Sequence, residues 1–386
     1  MNWKSNKLSE ISLIGDGAHA SLKRTNSGIP YLTAKNITKS GIDYSNMDYI
    51  SEETYNQYFK KASNALTQPK ENDVLYSIIG SIGGVYVVRD EKIGISSSVA
   101  IFRSNDNIVL PKYLAYFLKS PLFESQIQAI KSGVAQSFMS LGKLGTVNIS
   151  YPDDILYQKK LIKILSTYDN LIENNQKQIK LLEEAAQRLY KEWFVDLRFP
   201  GYENTKIIDG IPEGWSKGSL SNIALFKRGK TITKAQVEKG DIPVVAGGLK
   251  PAYYHNKANT VAPVITVSGS GANAGYTKLY NIDVFASDCS FADSKTTPNL
   301  FFVYCFLKSN KEMVNSLQKG AAQPHVYAKD INSINLLVPN TKLINKFCKL
   351  VAPYFEKIKI LENQNKLTSQ ARDRLLPKLV NGELEV

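Results

Sequence analysis

The chain has 386 residues, of which 43% are hydrophobic and 10% aromatic, enough for two or three domains with real cores. Its 48 basic against 35 acidic residues leave a net charge of +13, which points to a polyanionic partner, nucleic acid before membrane. No run approaches the roughly 18 apolar residues of a membrane span, and the start MNWKSNKLSE carries no apolar signal stretch, so a cytoplasmic protein is expected.

In chain order, the sequence opens on Trp3, Leu8 and Ile11, followed by an extended Ile-Pro element at Pro30. A glycine-serine hairpin region at Gly80-Ser81 comes next, then a short helix in PKYLAYFLKS. The stretch GVAQSFMSLGK from Gly133 leads into VNIS, whose alternation predicts a strand closed by Pro152. A long helix is expected from about 153 to 194, with Asp153 or Asp154 as its N-cap. Its apolar positions follow alternating steps of four and three: Leu161, Leu165, Tyr168, Ile172, Asn175, Ile179, Leu182, Ala186, Leu189 and Trp193. RFPGYENTKIIDGIPEG, rich in Pro, Gly and Asn, reads as a connector.

The same series then returns. Trp215, Leu220 and Ile223 repeat the opening, Pro243 the Ile-Pro element, and Gly269-Ser270 the hairpin region. NLFFVYCFLKSN repeats the short helix, and GAAQPHVYAK from Gly320 repeats the G-x-A-Q stretch. From Gly133/Gly320 to Pro152/Pro339 the copies align without a gap, 187 residues apart. Each copy is too long for a solenoid repeat, so two whole domains from one duplication are indicated. A second long helix is expected over about 341–380, with Leu343, Phe347, Leu350, Tyr354, Ile358, Leu361, Asn365, Thr368, Leu375 and Leu379 on one side and a kink at Pro353. The stripes are longer than one small domain covers, so the helices should pack on each other through Leu161, Leu165, Ile172, Asn175, Ile179, Leu182, Leu189, Leu350, Leu361 and Asn365. Asn175 and Asn365 would be polar register-setters in that seam.

The expected fold class is therefore α+β: two duplicated mixed domains and two long helices packed as an antiparallel coiled coil. The expected boundaries are 1–152 and 198–339 for the domains, and 153–197 and 340–386 for the helical segments.

Catalytic signals are sparse. His19, His255 and His325 are scattered, and Cys289, Cys305 and Cys348 have no ligand spacing, so no metal site is expected and the thiols should be buried. There is no phosphate-binding G-x-x-x-x-G-K-[ST] and no strand-to-helix G-x-G-x-x-G. Asp73 with Asp90 and Lys92 loosely suits a metal nuclease, but the second copy has no matching Asp-x-Lys. No catalytic residue is assigned.

Two diverged domains, each with a G-x-A-Q element ahead of a long helix, resemble the DNA specificity subunits of type I restriction–modification systems. GVAQSFMSLGKL, GAAQPHVYAKDI, IPEGW at Ile211 and RDRLLPKLVNGELEV carry the resemblance, which spans nearly the whole chain. The family often places a Glu-Gln pair after each closing proline; here Gln158 remains without the Glu, and the second copy has neither. The resemblance implies a non-catalytic subunit whose two target recognition domains each read one half of a split DNA sequence. The helices would be a spacer and a docking surface for two methyltransferase subunits, with restriction subunits joining them. S-adenosylmethionine, ATP and Mg²⁺ would then sit on those partners and not on this chain. The alternatives are a recognition subunit of a related system that cuts on both sides of its site, and a DNA-cleaving enzyme.

Base reading uses Arg or Lys on guanine and Asn or Gln on adenine, while phosphate contacts use Lys, Arg, Ser, Thr or backbone N–H. Three loops per domain supply such groups. In the first they offer Lys35, Asn36 and Lys39; Ser81; and Gln136, Ser137 and Lys143. In the second they offer Lys250, Tyr253, Tyr254, His255 and Lys257; Ser270 and Asn273; and Gln323, His325, Tyr327 and Lys329. The Gln shared by both copies cannot encode a difference between them, so the residues that follow it, Ser137-Phe138 against Pro324-His325, supply the variation, with Pro324 and His325 the better candidates for what the second half reads.

Overall fold

A computed structural model describes residues 2–38, 41–44, 47–59, 66–131, 138–320 and 323–386. The chain divides into two units: Met1–Ile172 with Lys366–Val386, and Glu173–Asn365. Each unit therefore takes one part of each long helix.

The repeat in the sequence is a repeat of sheets. In unit 1, Trp3–Lys7 pairs antiparallel with Asn148–Pro152, so the opening segment lies beside the strand that feeds the long helix. In unit 2, Ser216–Ser219 pairs with Asn335–Val338 in the same way. The first four-stranded sheet has the order Ser12–Asp16, Val99–Ser104, Val74–Ser77, Val85–Val87. Its counterpart runs Lys227–Arg228, Cys289–Asp293, Val264–Ser268, Thr277–Tyr280. Each unit also has a three-stranded sheet centred on the Ile-Pro element. Ile29–Leu32 lies between antiparallel Asp48–Ile50 and parallel Gly94–Ile95, and Ile242–Val245 between antiparallel Tyr253–His255 and parallel Phe285–Ala286.

A proline in a central strand lacks a ladder donor. Both copies solve this alike: the parallel partner begins one residue after the proline, at Tyr31 and at Val244.

The apolar runs VLYS, VAIF and VITV are explained by burial on both faces. Alternate residues of one strand enter opposite cores. Ala100 and Phe102 face a core with the short helix Pro111–Leu118, whereas Val99 and Ile101 face the three-stranded sheet. In unit 2, Ile265 and Val267 face the helical core and Val264 the other. A one-residue slip would exchange the two sets, which fixes the register.

The first long helix is Ile155–Tyr190, extended by a π-helical turn over Lys191–Val195. Asp154 caps it, its Oδ1 accepting from the Leu156 N–H at 2.8 Å. The second, Thr341–Val380, is capped by Asn340, whose Oδ1 accepts from the Leu343 N–H at 2.9 Å, and it continues through Pro353. The helices pack antiparallel within each unit. In unit 1, Leu161 and Leu165 share a core with Leu376 and Leu379, and the Arg372 guanidinium binds the Asp169 carboxylate at 2.6 Å. In unit 2, Ile179, Leu182 and Leu189 pack on the core that contains Phe347, Val351, Phe355 and Ile358. Ile172 is half-buried, and Leu361 is buried.

Leu350 departs from the expected seam: it is 47% exposed, and Val351 occupies the buried position. The buried residues Phe347, Val351 and Phe355 advance by fours because this stretch covers a broad domain face, where a period near 3.6 fits better than the 3.5 of a narrow coiled-coil seam.

Asn175 is 2% exposed, and its Nδ2 donates to Asn365 Oδ1 at 2.9 Å and to Gln364 Oε1 at 3.1 Å. Asn175→Ala is expected to cost about 1–2 kcal/mol through removal of the two bonds. Asn175→Leu should recover most of that, since Gln364 and Asn365 are near enough to solvent to be hydrated. Urea unfolding followed by tryptophan fluorescence checks this; a leucine as costly as the alanine would show that packing, not hydrogen bonding, is at issue.

All three cysteines are free and buried. Burial pushes the Cys289 thiol up to about 12 and that of Cys348 up to about 11, which makes them poor nucleophiles at neutral pH.

Candidate nucleic-acid interface

In each unit the loops at one end of the four-stranded sheet are tied together by backbone bonds. In unit 2 the Val326 N–H donates to the Gly269 carbonyl at 3.0 Å, and the Gly271 N–H to the Pro324 carbonyl at 3.0 Å. Ser268 Oγ donates to the Gly247 carbonyl at 3.0 Å. A Cβ at Gly247 would stand 2.8 Å from the Ser270 carbonyl oxygen, so glycine is what lets these two loops meet. The three loops nominated from the sequence thus form one cluster.

Unit 1 is built on the same plan. The Met139 N–H donates to the Ile78 carbonyl at 3.0 Å, and the Ala34 N–H to Ser98 Oγ at 2.9 Å. Ser98 in turn gives its carbonyl to the Ile78 N–H at 2.9 Å. A Cβ on Gly84 would lie 2.0 Å from the Ile37 carbonyl oxygen, another close approach that requires glycine. Lys39, Gln136 and Ser137 fall outside the described residues, as does most of the first G-x-A-Q element.

The nominated side chains separate into those already engaged by the fold and those left for a partner. Asn36 is 6% exposed and accepts from the Thr33 N–H and Oγ1, both at 2.9 Å, closing its own turn. His255 is 7% exposed, with Nδ1 at 3.1 Å from the Glu238 N–H and its ring edge-on to Phe285. Ser270 Oγ bonds the Asp288 carboxylate. These three side chains are engaged in holding their loops in place. The sequence could not separate the roles, because a polar turn residue closes its turn or faces outward with the same spelling.

Lys35, Ser81 and Lys143 are exposed in unit 1, and Lys250, Tyr254, Lys257, Gln323, Tyr327 and Lys329 in unit 2. Tyr253, Asn273 and His325 are half-buried. The His325 and Tyr327 rings lie nearly parallel, 14° apart with centroids 6.0 Å apart.

Two of the three nuclease-like residues are engaged in other contacts. Asp73 is 2% exposed and grips Arg103 by a fork, Nε to Oδ1 at 2.8 Å and Nη2 to Oδ2 at 2.7 Å. Lys92 pairs with Glu52 and lies over the Tyr55 ring at 4.7 Å, and Asp90 is exposed. Among the described residues, no group of three or more His, Cys, Asp or Glu is placed to hold a metal ion. Among the same residues, no helix is long and apolar enough to cross a membrane.

Gln158, kept from the family pattern, is fully buried. Its Oε1 accepts from the Leu110 N–H at 2.9 Å, while Nε2 donates to the Ile108 and Pro152 carbonyls, both at 2.9 Å. It joins the closing strand, the short helix and the long helix.

The model of the type I restriction modification DNA specificity domain matches residues 1–184 and again 212–368. The chain belongs to this family. It is 27% identical to the type I restriction enzyme MjaIX specificity subunit of Methanocaldococcus jannaschii, over all of this chain and 94% of that one. It is 24% identical to the HindI specificity subunit of Haemophilus influenzae, over 82% of this chain and 87% of the relative. Its fold is similar to the crystal structure of a type I restriction-modification S subunit from M. genitalium, with a TM-score of 0.55 at 18% identity, covering 98% and 96% of the two chains. The two halves of this DNA specificity subunit are thus two copies of one specificity domain.

Proposed function

We propose that each unit of this specificity subunit binds one half of a split duplex sequence through its three-loop cluster, and that the chain joins methyltransferase and restriction subunits without a catalytic step of its own. S-adenosylmethionine, ATP and Mg²⁺ belong to those partners in this reading. The observation that carries it is the same backbone-tied cluster built twice on a strongly basic chain, with different side chains on its outer side. Lys35 and Lys143 in unit 1 and Lys250, Lys257 and Lys329 in unit 2 serve the phosphates, while Ser81, Tyr253, Tyr254, Asn273, Gln323, His325 and Tyr327 face the grooves or the backbone. Lys39, Gln136 and Ser137 lie in the same loops by sequence and join this set.

The test is a chain with Lys250→Ala, Lys257→Ala and Lys329→Ala together. All three lysines are exposed, so the melting temperature should hold. Removing one lysine–phosphate pairing lowers the slope of log affinity against log salt by about 0.9. The expected result is a slope reduced by about 2–3 with the preferred sequence unchanged. An unaltered slope and affinity would remove this face from the interface.

A further inference from the structure

One position stands out when the two clusters are superposed through the sequence repeat. Phe138 and His325 are equivalent in the gapless alignment. Each is followed by a buried apolar residue, Met139 at 1% exposure and Val326 at 2%. Each of those residues anchors its backbone N–H on a carbonyl of the glycine-serine loop region, Ile78 or Gly269, at 3.0 Å. In extended backbone successive side chains point to opposite sides. With residue 139 or 326 plugged into the core, residue 138 or 325 is turned outward from a fixed point in the cluster.

The backbone at this point is held firmly. Phe138 bridges to Ile79, and His325 bridges to both Ser270 and Lys319. The His325 N–H and carbonyl are exchanged with Lys319 at 2.8 and 2.9 Å. Neither imidazole nitrogen makes a hydrogen bond among the described residues. Phe138 is 46% exposed, and its bridge partner Ile79 is 37% exposed, so two apolar side chains stand outward in an otherwise polar loop cluster. The fold thus presents different chemistry at the same place in the two halves: an apolar pair in one, an unengaged donor and acceptor in the other.

We propose that residues 138 and 325 are the matched specificity-determining position of the two domains, with Phe138 reading a thymine through its 5-methyl group and His325 reading a purine edge by hydrogen bonding. Apolar side chains discriminate thymine by contact with that methyl, and a ring N–H can donate to purine N7 or guanine O6. The assignment rests on the DNA-reading function above and deepens it. It also explains how a shared loop frame can serve two different half-sites: the flanking residues fix the geometry and this side chain varies.

The test uses the full chain with the methyltransferase subunits that co-purify with it. Preferred targets are selected from a randomised duplex pool for the parent, Phe138→Ala and His325→Ala. Phe138→Ala should relax a single thymine position in one half of the target, by about fourfold, the effect of one buried methyl. Replacing that thymine by uracil should weaken the parent by the same factor and leave Phe138→Ala unaffected. His325→Ala should relax a purine position in the other half by about tenfold. Melting curves confirm that each variant is folded. Variants that select the parental target unchanged, or that weaken all sequences uniformly, overturn the assignment, as does a parent indifferent to uracil at every thymine. A parent that selects no sequence at all would instead overturn the DNA-reading function itself.

Discussion

Asp73→Ala is expected to destabilise unit 1 by about 3 kcal/mol, while Asp90→Ala changes stability by less than about 0.5 kcal/mol. The two aspartates look alike in sequence, and a metal nuclease would need both. Asp73 is 2% exposed and receives three bonds: two from the Arg103 fork and one from the Lys70 N–H at 2.8 Å. Removing the carboxylate leaves a guanidinium facing a buried, unfilled site and a turn without its closing bond. Broken buried pairs cost about 3–5 kcal/mol, and the lower end applies because the Arg103 side chain keeps 29% exposure and can reach water. Arg103→Lys should be costly too, since an ammonium cannot make the fork. Calorimetry of the three variants decides. A stable Asp73→Ala chain would deny the carboxylate its structural role and reopen a chemical one.

The contrast between these aspartates shows what the sequence conveys and what it withholds. The duplication was legible because glycine, proline and buried apolar residues recur where backbone geometry demands them. Pro30 and Pro243 mark the same strand position, whereas the pairing of Gly80-Ser81 with Gly269-Ser270 is two residues out: Ile78 and Ile79 take the places of Gly269 and Ser270, and Gly80 matches Gly271, both at positive φ. The long helices were legible from their periodicity and caps. The pairing of strands was not, because Val99–Ser104 meets segments far away in sequence, and both its faces are apolar. The seam was misjudged at Leu350 because residues three and four places on from Phe347 both lie on its side of the helix, and spacing alone does not choose between Leu350 and Val351. Within the candidate interface, the loops were found but their members were not sorted. Asn36 and His255 carry the right chemistry and face inward. Phe138 was marked, with Ser137, only as a place where the two copies differ, because spacing does not say which of two successive residues faces outward. Its alignment with His325 was the available signal, and it acquires meaning only once Met139 and Val326 are seen to be the buried neighbours.

Phe347→Ala is expected to cost about 3–5 kcal/mol and to lower the melting temperature of unit 2 by about 10 °C. Phe347 has no exposed surface and meets four aromatic rings: Phe194 at 5.2 Å, Trp193 at 6.0 Å, Tyr190 at 6.1 Å and Phe302 at 6.3 Å between centroids. The ring planes are steeply inclined, as edge-to-face packing of aromatic quadrupoles favours. Those rings come from the end of the first long helix with its π-helical turn and from the short helix of the domain, so one side chain of the second long helix joins two segments distant from it and from each other in sequence. Phe194 continues the cluster to Trp215 at 6.0 Å, and Phe199 meets Trp215 at 5.4 Å. A void at Phe347 cannot be filled by the surrounding rings without moving a helix, which places the cost toward the upper end of the range. Phe347→Leu should recover about half. Trp193 and Trp215 report the transition directly by fluorescence, and a Trp3→Phe background removes the signal from unit 1. The loops of unit 2 rest on this core through Val326, whose buried side chain belongs to the same cluster. Phe347→Ala should therefore also weaken the DNA preference of one half of the target before that of the other. Loss of both preferences together at a temperature where the Trp193 and Trp215 signal is still native would refute the assignment of one half-site to each unit.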